Sequence, residues 1–158
     1  MRVVCAFHPR HLRRGTVDAL VAQASHTEFV DVSDSPDAYH ALFARLWADR
    51  RDFALVEHDI VIADGTLAAL EECPEPWCSC PIGSTYARTG FTEAYFQCNR
   101  WRAEIMAALP YVPELFPPQR YWGTLDSFLL RKMRPAYAAH AHLDRLTFHL
   151  APGLGSTQ

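Results

Sequence analysis

Two carboxylates spaced one residue apart close the run Phe53-Ala54-Leu55-Val56-Glu57-His58-Asp59-Ile60, and no other acid-x-acid triplet occurs in the chain. Four apolar residues in succession predict a buried strand. Glu57 and Asp59 then fall at its C-terminal end, where the crevice of an open α/β sheet lies. In extended backbone, residues i and i+2 point to one side, so the two acids are expected to converge. Converging carboxylates repel, and a divalent cation carrying a phosphorylated ligand relieves that repulsion.

Histidine supplies the second signal. Three of the eight histidines lie in His140-Ala141-His142-Leu143-Asp144-Arg145-Leu146-Thr147-Phe148-His149. His140 and His142 share one side if this segment is extended. Neutral imidazole is a common transition-metal ligand. One such histidine joining a strand-end carboxylate makes a mixed N/O site suited to manganese, or to magnesium if the imidazole only stands nearby. The plainer reading of each is a partly buried histidine bonded to backbone.

Other residues could serve the same chemistry. Asp126, in Trp122-Gly123-Thr124-Leu125-Asp126, falls just inside a predicted helix start. A carboxylate there acts either as general base for an attacking hydroxyl or as a first-turn acid complementing the helix dipole. Arg88, Arg100 and Arg102 flank a polar segment, and each is either a phosphate clamp or part of a solvated basic face. Cys73, Cys78 and Cys80 lack the paired-cluster spacing of structural zinc. They are expected to fill core, as is Cys98.

Alternating elements must hold these groups. Strands are predicted at Val3–Phe7, Phe29–Val32, the acidic run, Trp77–Ile82 and Ala94–Cys98. Between them lie a helix capped by Thr16 and ending near Gln23, one opened by Ser35-Pro36, and one capped by Asp64 and ending near Glu72. Tyr39, Leu42, Phe43, Leu46 and Trp47 repeat as one buried helical face. Gly83–Thr92 is polar, with two glycines, and predicts a loop and candidate flap. Asn99 is expected to cap a helix through Ile105 to Leu109. Four prolines make Pro110–Pro118 an irregular connection. Trp122, Leu125, Phe128, Leu129 and Met133 form a further helical stripe, and Tyr137–Leu150 reads as one or two strands. The alternation predicts an α/β fold, a mixed but mostly parallel sheet with helices on both faces. No glycine-rich phosphate loop or dinucleotide fingerprint occurs.

Composition narrows the function classes. The 158 residues, 49% hydrophobic, suit a single domain over residues 1–150 with a flexible tail over 151–158. A formal net charge of -3 gives no broad electrostatic attraction to nucleic acid. Arg10, Arg13 and Arg14 offer only a local basic patch. No run approaches the ~20 apolar residues of a membrane span, and Met1–Arg10 is too soon interrupted for a signal peptide. Five cysteines, an odd number, suit reduced thiols. A cytoplasmic protein is therefore expected.

In order along the chain, five pieces resemble glycosyltransferases of the GT-A type, similar to the small ones encoded by bacteriophages and actinobacteria. They are Phe53–Ile60, Cys73-Pro74-Glu75-Pro76-Trp77-Cys78, Gln97-Cys98-Asn99-Arg100-Trp101, Trp122–Asp126 and the closing histidines. The match covers roughly residues 50–150. The resemblance implies a GT-A-like, Rossmann-like domain that binds a nucleotide-diphosphate sugar through Mn²⁺ or Mg²⁺. Asp59 would be the direct metal ligand, completed by His149 as first choice and His142 as second. Glu57 would sit towards the ribose or a metal-held water. His58 and Arg100 would also belong to the donor site. Phe7, His8 and Asp31 or Asp34 would line the base pocket. Asp126 would be the catalytic base of an inverting transfer to an acceptor hydroxyl. The motif opens with Glu where relatives carry Asp, a conservative difference. Phage relatives suggest a hydroxymethylated base in phage DNA as acceptor, with the host cytoplasm as location. Two competing functions are a metal-dependent phosphohydrolase and a non-catalytic nucleotide-binding module.

Overall fold

The structure is a computed structural model that describes residues 1–89, 97–109 and 136–150. Its elements run β1 (Arg2–Phe7), α1 (Arg14–Gln23), β2 (Thr27–Asp31), α2 (Ala38–Ala48), β3 (Phe53–Glu57), β4 (Ile60–Val61) and α3 (Thr66–Glu72). After these come β5 (Trp77–Ser79), α4 (Gly83–Thr89), β6 (Cys98–Trp101), α5 (Ala103–Ala108), β7 (His140–Ala141) and β8 (Phe148–His149). Six strands form one sheet in the order β2-β1-β3-β6-β5-β7, and β4 pairs with β8 in a second. β1 is parallel to β2 and to β3, and β5 is parallel to β7. β6 alone among the described strands of this sheet runs against its neighbours. The chain is thus an α/β protein with a mixed, mostly parallel sheet.

Strand alternation sorts the core onto two faces. Val4, Ala6, Phe53, Leu55, Trp77 and Trp101 point to one side, against Tyr39, Leu42, Phe43, Leu46 and Trp47 of α2 and Ile105 and Met106 of α5. Their sequence neighbours Val3, Cys5, Ala54, Val56 and Cys78 point to the other, with Leu20 of α1 and Leu67 and Leu70 of α3. Helices on both faces explain why β1 and β3 read as near-continuous apolar runs. Phe43 meets Trp101 edge-on at 5.4 Å and Phe53 edge-on at 5.9 Å. Burial of each such side chain stabilises by about 1.5–3 kcal/mol.

Local boundaries differ from expectation where tertiary partners take over. Gly83–Thr89 is helical, not loop. Its polarity is that of a short surface helix, and Gly83 is anchored through its N–H to the Thr147 carbonyl at 2.9 Å. Residues 90–92 of that segment lie outside the described residues, as do residues 94–96 of the predicted fifth strand. Asn99 does not cap a helix. It sits inside β6, fully buried, and accepts the Trp77 indole N–H at 3.1 Å. The N-terminus of α5 is instead capped by Asp52, whose carboxylate accepts the Ala103 N–H at 2.8 Å. Before α3 the helix boundary residue is Gly65 rather than Asp64, with φ 77°, a left-handed conformation that glycine adopts without strain. The Trp122–Met133 stripe, the Pro110–Pro118 connection and the 151–158 tail lie outside the described residues. Among those described, no helix is long and apolar enough to cross a membrane.

Candidate functional site

Because β2, β1 and β3 are parallel, their C-terminal ends share one edge of the sheet. The β1–β2 register sets Phe7 opposite Asp31, and the Val32 N–H donates to the Phe7 carbonyl at 2.9 Å. Phe7 and His8 are half-buried there. Asp31 is exposed. Its carboxylate accepts the Ser33 N–H at 2.9 Å, and that bond, reinforced by His8, holds it below the usual carboxylate range. These three residues are neighbours at this edge of the sheet.

After β1 the chain turns back over β3. The His11 and Leu12 N–H groups donate to the His8 carbonyl at 2.8 and 3.0 Å, and the Arg13 N–H donates to the His58 carbonyl at 2.9 Å. The turn stacks imidazoles in a row: His8 to His11 at 5.0 Å and His11 to His58 at 5.9 Å between ring centres. His58 is buried and bonds the Ala6 backbone. Burial lowers its pKa below the ordinary histidine value; His11 and His8 add to the effect while Asp59 opposes it. His11 carried only the His8-x-x-His11 spacing as a sequence signal, and that spacing acquires meaning once the turn is known.

The acidic motif divides at the strand end. Extended backbone stops at Glu57, and His58 and Asp59 form the turn into β4. Glu57 and Asp59 therefore do not lie on one extended strand, and each carboxylate meets a different partner. Glu57 accepts the Tyr39 hydroxyl at 3.3 Å. Asp59 is approached by His149 Nε2 at 3.0 Å and by His58 Nε2 at 4.0 Å. β8 delivers His149 by antiparallel pairing, with Ile60 opposite His149, and the Leu150 N–H closes onto the Asp59 carbonyl at 2.8 Å. A residue ninety positions downstream thus reaches the motif through two short strands.

Two expected site residues fall elsewhere. Arg100 is almost wholly buried on β6, and its guanidinium donates to the carbonyls of Leu70, Glu75 and Cys73 at 2.9, 2.8 and 2.7 Å. A fork spent on backbone is a structural tie between β6 and the end of α3, not a phosphate clamp. His142 does not join Asp59; its ring meets His140 at 4.9 Å, and both share a cluster with Cys73. Burial and the neighbouring His140 lower the pKa of His142. Asp126 lies outside the described residues.

Asp59 and His149 form a carboxylate–imidazole ion pair whose oxygen and nitrogen are also donor types that could hold a divalent ion. Cis ligands of an octahedral ion bound at about 2.1 Å stand about 3.0 Å apart, which is the separation found between Asp59 Oδ2 and His149 Nε2. Oxygen and imidazole donors suit manganese, or magnesium with fewer protein ligands.

No protein-family model matches the chain, and no curated protein matches it. Among solved structures, the chain is similar to the crystal structure of A197 from STIV, with 11% sequence identity and a TM-score of 0.60. The match covers 96% of this chain and 86% of that one. A likeness at this identity speaks for the fold.

Proposed function

We propose that this α/β chain is a metal-dependent glycosyltransferase of GT-A type, transferring sugar from a nucleotide-diphosphate sugar to an acceptor hydroxyl. The observation that carries the reading is the Asp59–His149 pair at 3.0 Å, set at the end of β3 beside the ends of β1 and β2. The crevice outside such strand ends is where nucleotides bind in open α/β sheets. Two protein donors leave the remaining ligand positions to diphosphate oxygens and water, the usual arrangement for magnesium-like ions on nucleotides.

Asp59 and His149 would hold the ion, whose charge offsets the negative charge developing on the departing nucleotide diphosphate. Phe7 offers an apolar surface for the base, and Asp31 and His8 offer polar contacts at the same edge. Glu57, oriented by Tyr39, faces the ribose side. His58, buried and neutral, stiffens the turn that carries Asp59. Asp126 is the proposed base for the acceptor hydroxyl, a role that typically contributes 10²–10⁴-fold in rate. A hydroxymethylated DNA base is one acceptor to test, with Arg10, Arg13 and Arg14 as its local basic contact.

Calorimetry with nucleoside diphosphates, with and without Mn²⁺, tests the donor site. Metal-dependent nucleotide affinity should disappear in Asp59→Asn and weaken in His149→Ala, with the melting temperature retained. Equal nucleotide affinity in wild type and Asp59→Asn overturns the site. A mass-spectrometric screen for sugar transfer, run beside a free-phosphate assay, then separates a transferase from a phosphohydrolase. Binding without either product identifies a non-catalytic nucleotide-binding module.

A further inference from the structure

We propose a second, chemically different metal site: Cys73, His140 and His142 hold a zinc ion that ties the edge strand β7 to the end of α3. This inference does not rest on the glycosyltransferase reading. Cys73 follows α3 directly, and its thiol and the two imidazoles each present a donor atom, all within 4.8 Å of one another. A tetrahedral zinc with bonds of about 2.0–2.3 Å brings its ligands to roughly 3.5 Å, so side-chain adjustments of about an ångström close the site.

Four observations point at an ion rather than at a chance meeting. His140 opens β7 and His142 follows that strand directly, their ring centres 4.9 Å apart, and His140 pairs in register with Cys78, whose thiol neighbours Cys73. His142 Nε2 is buried without a hydrogen-bond partner among the described residues, and such a nitrogen is costly to leave unmatched. Arg100 and Arg102 both donate to the Cys73 carbonyl, fixing the backbone of the thiol ligand. Finally, β7 has only two residues and His140 is exposed. A strand so short, at a sheet edge, buries little that would hold it in place.

The donor set decides the metal. One thiolate and two imidazoles select zinc over magnesium or manganese, whereas the Asp59–His149 pair, with a carboxylate oxygen in place of the thiolate, also accommodates manganese. Cysteine spacing alone conceals the site, because the other two ligands come from a strand that reaches Cys73 through β5. Its consequence is positional. The segment leaving β7 runs to β8, which presents His149 to Asp59, so an ion at Cys73 steadies the chain that completes the other site.

Elemental analysis of the purified full-length chain, titrated with zinc, provides the test. We expect one zinc per chain, and loss of Cys73 or His140 should weaken binding by roughly 100-fold or more. His140→Ala removes an exposed side chain and keeps the experiment interpretable if Cys73→Ser does not fold. Cobalt substitution should give a thiolate-to-cobalt absorption band that vanishes in Cys73→Ser. Asp59→Asn should keep its zinc, and zinc should slow amide exchange at His142, whose N–H donates to the Ser79 carbonyl at 2.9 Å. No bound zinc in the titrated wild type overturns the proposal. So does zinc retained at wild-type affinity in both His140→Ala and Cys73→Ser. Loss of zinc in Asp59→Asn with retention in His140→Ala would assign the ion to the other site and equally overturn it.

Discussion

His58 sits beside Asp59 in a turn that buries its imidazole. Its ring is buried between the β1 turn and Asp59, and burial is the main cause of its lowered pKa. The unfolded chain, with histidine near 6.5, therefore binds more protons than the folded one between that value and the folded pKa. Stability should fall as pH drops below about 6.5, and the His58 contribution should level off below its folded pKa. One histidine changes stability by at most about 1.4 kcal/mol per pH unit. His142 acts with the same sign. Denaturation midpoints recorded from about pH 7.5 down to about pH 5 should show this acid limb, and His58→Gln should make it shallower. An unchanged limb in that variant would mean that His58 is protonated without cost in the folded state. Arg100 is the opposite case at this scale. A charged residue expected at a phosphate is consumed by three backbone carbonyls at and just beyond the end of α3, where the helix leaves carbonyls without intrahelical partners.

At the scale of elements, helix ends and short strands were the least legible parts. Asp52, next to β3, caps α5 from fifty-one positions away. No local pattern announces such a cap, since the residues before Ala103 carry no capping side chain of their own. Replacing Asp52 with Ala should cost about 0.5–2 kcal/mol, visible as a lower urea midpoint with an unchanged slope. A midpoint equal to wild type would show that solvent satisfies the Ala103 N–H. The stripe on α2, by contrast, was fully legible: Tyr39, Leu42, Phe43, Leu46 and Trp47 are all buried where the period places them. An eleven-residue helix repeats its pattern often enough to be read, whereas β4, β7 and β8 have two residues each and contain no period.

Across the whole molecule, the sheet divides two cores of different chemical character. The face against α2 and α5 is rich in aromatics, and the face against α1 and α3 holds all five cysteines. All five are free and buried. Burial pushes the Cys5 thiol up to about 12, with Glu57 and Asp59 adding to it. Cys78 is also pushed up to about 12, again chiefly by burial, and Cys80 is raised through its bond to Cys98. Since the thiolate is the reactive form, the folded chain should show no fast reaction with a thiol-labelling disulfide reagent. Denaturant should release all five thiols. A stoichiometric fast phase in the native protein would expose one cysteine and break this description of the second core.

The sequence by itself determined the alternation of strands and helices, the burial of the Phe53–Val56 run and the position of the acidic motif at its end. Each rests on period or on apolar runs, which adjacent residues encode. It also brought His140 and His142 close together, two residues apart, and their rings meet at 4.9 Å although the strand stops at Ala141. Only the tertiary structure decided which groups meet. His149 reaches Asp59 because β8 pairs with β4, and His142 goes to Cys73 because β7 pairs with β5. Candidate ligands a few residues apart are thereby sent to different sites. Pairing between strands of two or three residues is set by packing across the sheet, and that information is spread over the whole chain rather than held in any local motif.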